Sequence, residues 1–311
     1  MDVNGPAWDL SSEYKGIEDP QLLSDLRRAE TLIADLAGLS QKIAPFVARA
    51  EVLTEVERRD AVKWSQDATK LQLEAMALVW NVETFLSCEL SVDARNAGAK
   101  TAFSNVQVIQ ARLAQAYNAV DQFLKLTSDQ VVKDYLAQPQ TEPTRFLVQQ
   151  DRKLKDQALS LPEEDILIGL SVDGPTAWGN LYDNLSGALS CDVALPEGNK
   201  KVGLAATATM LQDAREDVRQ AAWRATNAAW EQNEEAAAGI LNALSGWRHT
   251  VYKRRSAKKP VHYLDPSLHG ARIERKTLDA MMGAVGEART FARHSLALQA
   301  KVLGKAKLAP W

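Results

Sequence analysis

Apolar residues recur at three- and four-residue steps through most of this chain, and that spacing constrains its fold more than any other feature. The cleanest run is Phe103, Val106, Ile109, Leu113, Tyr117, Val120 and Leu124, with Gln, Asn, Lys and Arg on the remaining faces. A 3.6-residue helical period brings such positions onto one stripe. Leu22, Leu26, Ala29, Ile33 and Leu36 form a second stripe, and Ile43, Phe46, Val47, Ala50 and Leu53 a third. Leu71, Ala75, Leu78, Val82 and Phe85 form a fourth. These segments are long, poor in Gly and rich in Ala, Leu, Glu and Gln, all good helix formers. Several long one-sided helices bury their stripes by packing on one another, so the expected fold is all-α, built mostly of long antiparallel helices.

Punctuation divides the remainder. Pro139 and Pro143 end one helical stretch, and a helix is expected over residues 144–158. Ser160-Leu161-Pro162-Glu163 has the spacing of a capping box, in which the serine and the glutamate satisfy each other's backbone amides. Asp173-Gly174-Pro175 marks another start, followed by Trp178, Leu181, Tyr182 and Leu185 on one face. Between residues 190 and 209 the period changes: Val193 and Leu195, then Pro196-Glu197-Gly198-Asn199, then Val202 and Leu204. That alternation predicts one short β-hairpin. Helix resumes over residues 213–247, with a break, and over 276–303, where Leu278, Met282, Val285, Phe291, Ser295 and Val302 fall near one face. The hairpin region is the natural boundary between two helical parts.

Length and composition exclude several classes. A chain of 311 residues that is 46% hydrophobic can bury a substantial core. Its 37 Lys and Arg balance 40 Asp and Glu, net −3, so neither a nucleic-acid footprint nor an anionic membrane surface is expected. The N-terminus has no basic region followed by an apolar run, and no segment reaches the ~20 apolar residues of a membrane span. Cys88 and Cys191 read as reduced thiols, and the expected location is cytoplasmic.

Chemical motifs are sparse. No two of the four histidines, His249, His262, His269 and His294, stand three or four residues apart, as two ligands on one helical turn require. There is no Cys-x-x-Cys, and Gly169-Leu170-Ser171-Val172-Asp173 lacks the second glycine of a nucleophile elbow. Glu163-Glu164 and Glu234-Glu235 read as solvated helical surface rather than acid–base pairs. Lys253, Arg254, Arg255, Lys258 and Lys259 read as a solvated loop after a helix. The eight tryptophans, Trp8, Trp64, Trp80, Trp178, Trp223, Trp230, Trp247 and Trp311, read chiefly as core, with a peptide-binding wall as the minority alternative.

One resemblance is specific. Asp213-Ala214-Arg215-Glu216-Asp217-Val218-Arg219-Gln220-Ala221-Ala222-Trp223 resembles the Asp-Arg-x-x-Arg-x-x-Ala-aromatic helix of oligoendopeptidase F-type enzymes, members of the thimet oligopeptidase-like zinc metallopeptidases. Leu159-Ser160-Leu161-Pro162-Glu163-Glu164 is similar to that family's Leu-Ser-x-x-Glu-Glu turn, with Gln157 where a histidine often precedes it. Leu241-Asn242, Tyr252 to Ser256, and Lys259-Pro260-Val261-His262-Tyr263-Leu264-Asp265 are similar to the linker that follows. Thr277-Leu278-Asp279-Ala280-Met281 and Lys301-Val302-Leu303-Gly304 resemble the long helix before the catalytic segment. The likeness covers residues 144–311; before that it is a diffuse helical pattern.

The resemblance implies a helical, two-lobed enzyme around a deep channel that hydrolyses short peptides. In such enzymes zinc is held by His-Glu-x-x-His and a later glutamate, the motif glutamate serving as general base. No His-Glu-x-x-His occurs in these 311 residues. No catalytic, cofactor-binding or metal-ligating role therefore transfers to any residue here, and no zinc is expected to be bound by this chain. The implied organisation is an N-terminal helical region over residues 1–140, an oligopeptidase F N-terminal-type domain over 141–190, and the beginning of a metallopeptidase catalytic domain over 191–311. The expected function is that of the N-terminal part of a cytoplasmic zinc-dependent oligoendopeptidase, inactive alone. Its expected partners are short peptides in the full-length enzyme, a missing C-terminal half, or a second copy. The alternative is a non-catalytic helical peptide-binding or scaffolding module.

Overall fold

The computed structural model describes residues 9–311, so Trp8 and most of the segment read for a leader lie outside the described residues. The chain forms two compact units, Met1–Asn180 with Trp247–Pro260, and Leu181–Gly246 with Val261–Trp311. The first is built on three long helices: α1 Pro20–Val47, α2 Glu55–Val92 and α3 Ala97–Leu126. Each begins on a side chain that satisfies an otherwise unpaired amide. Asp19 accepts from Gln21 N at 2.8 Å, and Asn96 accepts from Ala99 N at 3.0 Å. Thr54 and Glu57 make a capping box, with Thr54 N donating to Glu57 Oε2 at 2.9 Å. The hydrogen bond from Arg49, followed by the Thr54 amide, pulls the Glu57 carboxyl down to about 2.

The stripes predicted from sequence meet in one core. Leu22, Leu36 and Ile43 of α1, Val79, Val82 and Leu86 of α2, and Val106, Val120 and Phe123 of α3 are essentially inaccessible to solvent. Ala29, Ala61, Ala68 and Ala75 are fully buried between them, where a larger side chain would force the helices apart. Helix α4, Asp129–Tyr135, closes one end of the core with Tyr135. The hydroxyl of Tyr135 lies 2.8 Å from Thr69 Oγ1, which also lies 2.8 Å from Tyr117 OH and donates to Ser65 O. A polar centre in an apolar core is tolerated when its members are hydrogen-bonded to each other.

The segment 144–158, expected as one helix, is broken into α5, Arg145–Arg152, and a 3-10 turn over Lys155–Gln157. Arg152 at the break donates to Leu124 O at 2.7 Å and Thr127 O at 2.8 Å, so its guanidinium caps the C-terminus of α3. Helix α6, Leu161–Leu170, starts on the predicted capping box, Glu163 Oε2 accepting from the Ser160 amide at 3.0 Å. A π-helical turn over Val172–Thr176 leads into α7, Ala177–Ala188.

The second unit contains the hairpin, β1 Ser190–Leu195 and β2 Gly198–Gly203, antiparallel with Cys191 opposite Val202 and Leu195 opposite Gly198. The turn is two residues, Pro196-Glu197, and the next residue, Gly198, takes φ 127°, open to glycine because it has no Cβ. Leu204 opens helix α8, Leu204–Met210, instead of extending the strand. Cys191, Val193 and Leu195 alternate inward and pack on Val218, Ala225 and Ala229 of α9, Glu216–Glu231. The break predicted within 213–247 falls before α10, Glu234–Arg255, whose residues from Trp247 onward count with the first unit. Helix α11, Asp265–Ala271, ends at Arg272 with φ 58°, and α12, Arg275–Val302, follows. The all-α fold, with one short hairpin among the described residues, is the fold read from the sequence.

Candidate functional site

The first unit carries a cleft of about 570 Å³ between α2, α3, α6, the π-helical turn and the last turns of α10. Its walls combine apolar side chains, Leu167, Ile168, Val172 and Val251, with Glu83, Gln107, Gln110, Glu164 and Arg255. Apolar walls with placed polar groups are features of small-ligand and peptide sites, and here the polar share is large.

Glu164 and Arg255 form the electrostatic centre. The guanidinium donates from Nη1 to Oε1 at 2.6 Å and from Nη2 to Oε2 at 2.7 Å, a two-pronged pair joining residues 91 positions apart. Nη1 also donates to Gln157 O at 3.1 Å, and Leu159 N donates to Glu164 Oε1 at 3.2 Å. Burial pushes the Glu164 carboxyl up, but the Arg255 hydrogen bond and charge, with the Leu159 amide, outweigh it and leave the group below the usual carboxylate range. Two sequence readings are corrected here. Glu164 is not solvated surface beside Glu163: it is buried at 7% exposure, while Glu163 faces solvent. Arg255 is not part of a free basic loop: Lys253, Arg254 and Arg255 form the last turn of α10, and only the first two are exposed.

The opposite wall comes from α2 and α3. Gln110 Nε2 donates to Glu83 Oε2 at 2.6 Å. Gln107 and Asn180 exchange amide hydrogen bonds of 2.8 and 3.3 Å. Trp247 closes one side. Its ring packs so tightly on Gly174 that an added Cβ would lie 3.1 Å from Cζ3 and 3.2 Å from Cε3. Gly174 also takes φ −91°, ψ −115°, outside the helical region. The expectation that the tryptophans are chiefly core does not hold for the described ones: Trp64, Trp223, Trp230, Trp247 and Trp311 are half-buried, and Trp80 and Trp178 are exposed. They pack at surfaces, Trp64 on Phe46 and Trp230 on Tyr182, where an indole keeps one edge wet.

Ser171 lines the cleft, but its hydroxyl donates to Ile168 O at 2.7 Å, so it closes the helix end rather than meeting a base. The histidines do not fit a zinc ion. His262 Nδ1 accepts from Leu264 N at 3.2 Å, and His269 Nε2 lies 3.2 Å from the Arg272 guanidinium, a cation where a second cation would have to sit. His249 and His294 are exposed on α10 and α12. Among the described residues no three His, Cys, Asp or Glu side chains are grouped to hold a metal, and no helix is long and apolar enough to cross a membrane. Sequence reasoning passed over Glu83, Gln107 and Gln110, because isolated polar residues on amphipathic helices carry no signal that separates a cleft from open solvent.

Residues 124–190 match the family model described as Oligopeptidase F. That segment contains α6 and the π-helical turn, and so supplies Glu164, Leu167, Ile168 and Val172 to the cleft. Over that segment the chain resembles Oligopeptidase F. Among solved structures, the chain is similar in fold to oligoendopeptidase-F from Enterococcus faecium, with a TM-score of 0.72 and 16% identity over 92% of this chain and 54% of that one. It is also similar to a protein from Chlamydophila abortus described as a candidate peptidase, with a TM-score of 0.51 and 14% identity over 79% of this chain and 41% of that one. The chain thus spans about half the length of these proteins. No curated protein sequence matches it.

Proposed function

We propose that this chain is the N-terminal, peptide-facing part of a cytoplasmic zinc-dependent oligoendopeptidase. In this reading residues 1–140 are the helical N-terminal region, 141–190 the oligopeptidase F-type domain, and 191–311 the start of the catalytic domain. The observation that carries the reading is that the segment matching Oligopeptidase F forms one wall of this polar-lined cleft of the first unit. Short peptides are the substrates, and these residues bind them rather than cleave them. Zinc would supply an activated water, since metal coordination lowers the pKa of water from 15.7 to ~7. The described His, Cys, Asp and Glu side chains are not grouped to hold such an ion, and this reading assigns them no hydrolytic step.

The chain supplied with Zn²⁺ is assayed on an internally quenched oligopeptide, and binding of the same peptide is followed by fluorescence anisotropy. Saturable binding without turnover is expected. Chelator-sensitive turnover would overturn the inactivity of these residues, and an absence of binding would overturn the peptide-facing reading. A scaffolding role has one observation in its favour, the exposed apolar side chains of α12, including Met282, Val285 and Phe291.

A further inference from the structure

The cleft bears an unbalanced charge. The ionisable side chains lining it are Glu83, Glu164 and Arg255. Arg255 is committed to Glu164 through both terminal nitrogens. Glu83 is left with no cation among the described residues; its one hydrogen-bond partner is the neutral amide of Gln110, at 2.6 Å. The Glu83 side chain is half-buried. A carboxylate withdrawn from water loses hydration that one amide does not replace, and an incoming cation restores the balance. Gln110 engages Glu83 through its Nε2, leaving its carbonyl to accept from a second N–H donor.

Trp247 adds a second, independent feature. Its indole lines the same cleft and remains half-exposed. The ring is fixed in place by the missing side chain at Gly174, since any Cβ there would press on it at 3.1 Å. A fixed aromatic face in a partly dry cleft attracts ammonium and guanidinium groups.

We propose that this cleft is a subsite for a cationic group of a bound peptide, with Glu83 as the anionic anchor, Gln110 as the neighbouring amide and Trp247 as the aromatic wall. The inference rests on the peptide-facing reading above and adds what it leaves open, the chemistry of the residue recognised. A volume of about 570 Å³ accommodates a lysine or arginine side chain together with adjoining backbone. The same chemistry arises from a basic side chain or from a free peptide N-terminus.

The test uses the whole chain and three short peptides of one length. One is neutral and capped at both ends, one is capped with a single central lysine, and one is neutral with a free amino terminus. Affinity is measured calorimetrically at low ionic strength. At least one cationic peptide is expected to bind about tenfold more tightly than the neutral capped one, the difference made by one charge-assisted contact. A gain confined to the lysine peptide assigns the site to side chains, and a gain confined to the free-amine peptide assigns it to the terminus. Glu83→Gln, nearly isosteric, is expected to erase the preference with an unchanged circular dichroism spectrum and melt. Trp247→Leu is expected to weaken cationic peptides a few-fold and leave the neutral one alone. Equal affinity for all three peptides, or a preference that survives Glu83→Gln, overturns this subsite while peptide binding stands. Binding of none of them overturns the peptide-facing reading and the subsite with it.

Discussion

Helices α3 and α12 are close in length, 30 and 28 residues, and both are amphipathic in sequence, yet they end in opposite circumstances. Helix α3 buries Val106, Ile109, Leu113, Ala116, Val120 and Phe123 against α1 and α2. Helix α12 buries Ala300 and leaves Met281, Met282, Val285, Phe291, Leu298 and Val302 exposed. The pattern states which residues gain from leaving water; it does not supply the surface that covers them. Their starts differ in the same sense. Asn96 caps α3, whereas Glu274 at the start of α12 pairs with Lys276 at 2.7 Å and makes no capping bond. Helix α3 therefore carries stability, and α12 has its apolar face on offer.

The largest test of that contrast is Phe123→Ala. Phe123 is fully buried, and removing its ring leaves a cavity that surrounding helices fill only in part. A loss of about 3–5 kcal/mol is expected from the urea midpoint of the first unit. A loss below about 1 kcal/mol would mean that α3 is no better anchored than α12.

Next comes Arg255→Met, which strands the Glu164 carboxylate in a buried site. Breaking a buried pair by removing one partner costs about 3–5 kcal/mol, and the low end applies because the Arg255 side chain keeps 26% exposure. The contrast is Arg275–Asp279 on α12, 2.9 Å long with 55% and 59% exposure, whose removal is expected to leave the melt unchanged. The pH dependence has a definite sign. Glu164 titrates lower in the folded chain than in the unfolded one, so its contribution is complete above the ordinary carboxylate pKa of ~4.3 and is lost as the pH falls through the folded value. In Arg255→Met the depressing partner is gone while burial remains. Acidification from pH 7 to pH 4 is therefore expected to narrow the gap between variant and parent in urea midpoint; a widening gap would contradict the pairing.

These residues also show where sequence reading reaches its limit. The bundle was legible because apolar spacing reports the buried face directly, and the hairpin because Val193 and Leu195 alternate before the Pro196-Glu197-Gly198-Asn199 turn and Val202 follows it. The Ser160 capping box was legible because its two members sit three residues apart. The cleft was not. Glu163 and Glu164 are neighbours in sequence, but one residue along a helix is a turn of ~100°, so one faces solvent and the other faces Arg255, 91 positions away. The early end of α5 at Arg152 was hidden for a related reason: Arg152 is occupied by the carbonyl end of α3, a tertiary partner that local propensity does not register.

A smaller effect is expected at the helix starts. Asn96→Ala removes the acceptor of the Ala99 amide and should cost about 1 kcal/mol. Glu274→Ala, at the corresponding place on α12, should move the transition less, since Glu274 makes no capping bond. If the two substitutions prove equal, capping does not distinguish the helices and the contrast rests on burial alone.

The smallest expected change in stability is at Phe291→Ser. Phe291 is 76% exposed on α12, so losing its ring forfeits little burial, and the midpoint should stay within about 0.5 kcal/mol of the parent. The informative readout is the surface. Phe291 shares one face of α12 with the exposed Leu298 and Val302, and exposed apolar side chains grouped on one face bind apolar dyes and other apolar surfaces. Phe291→Ser is expected to lower dye fluorescence and the scattering mass at high concentration together, whereas Phe123→Ala should raise dye binding by loosening the core. Were Phe291→Ser instead as destabilising as Phe123→Ala, α12 would be packed against a partner surface in solution, and its likeness to α3 would be restored.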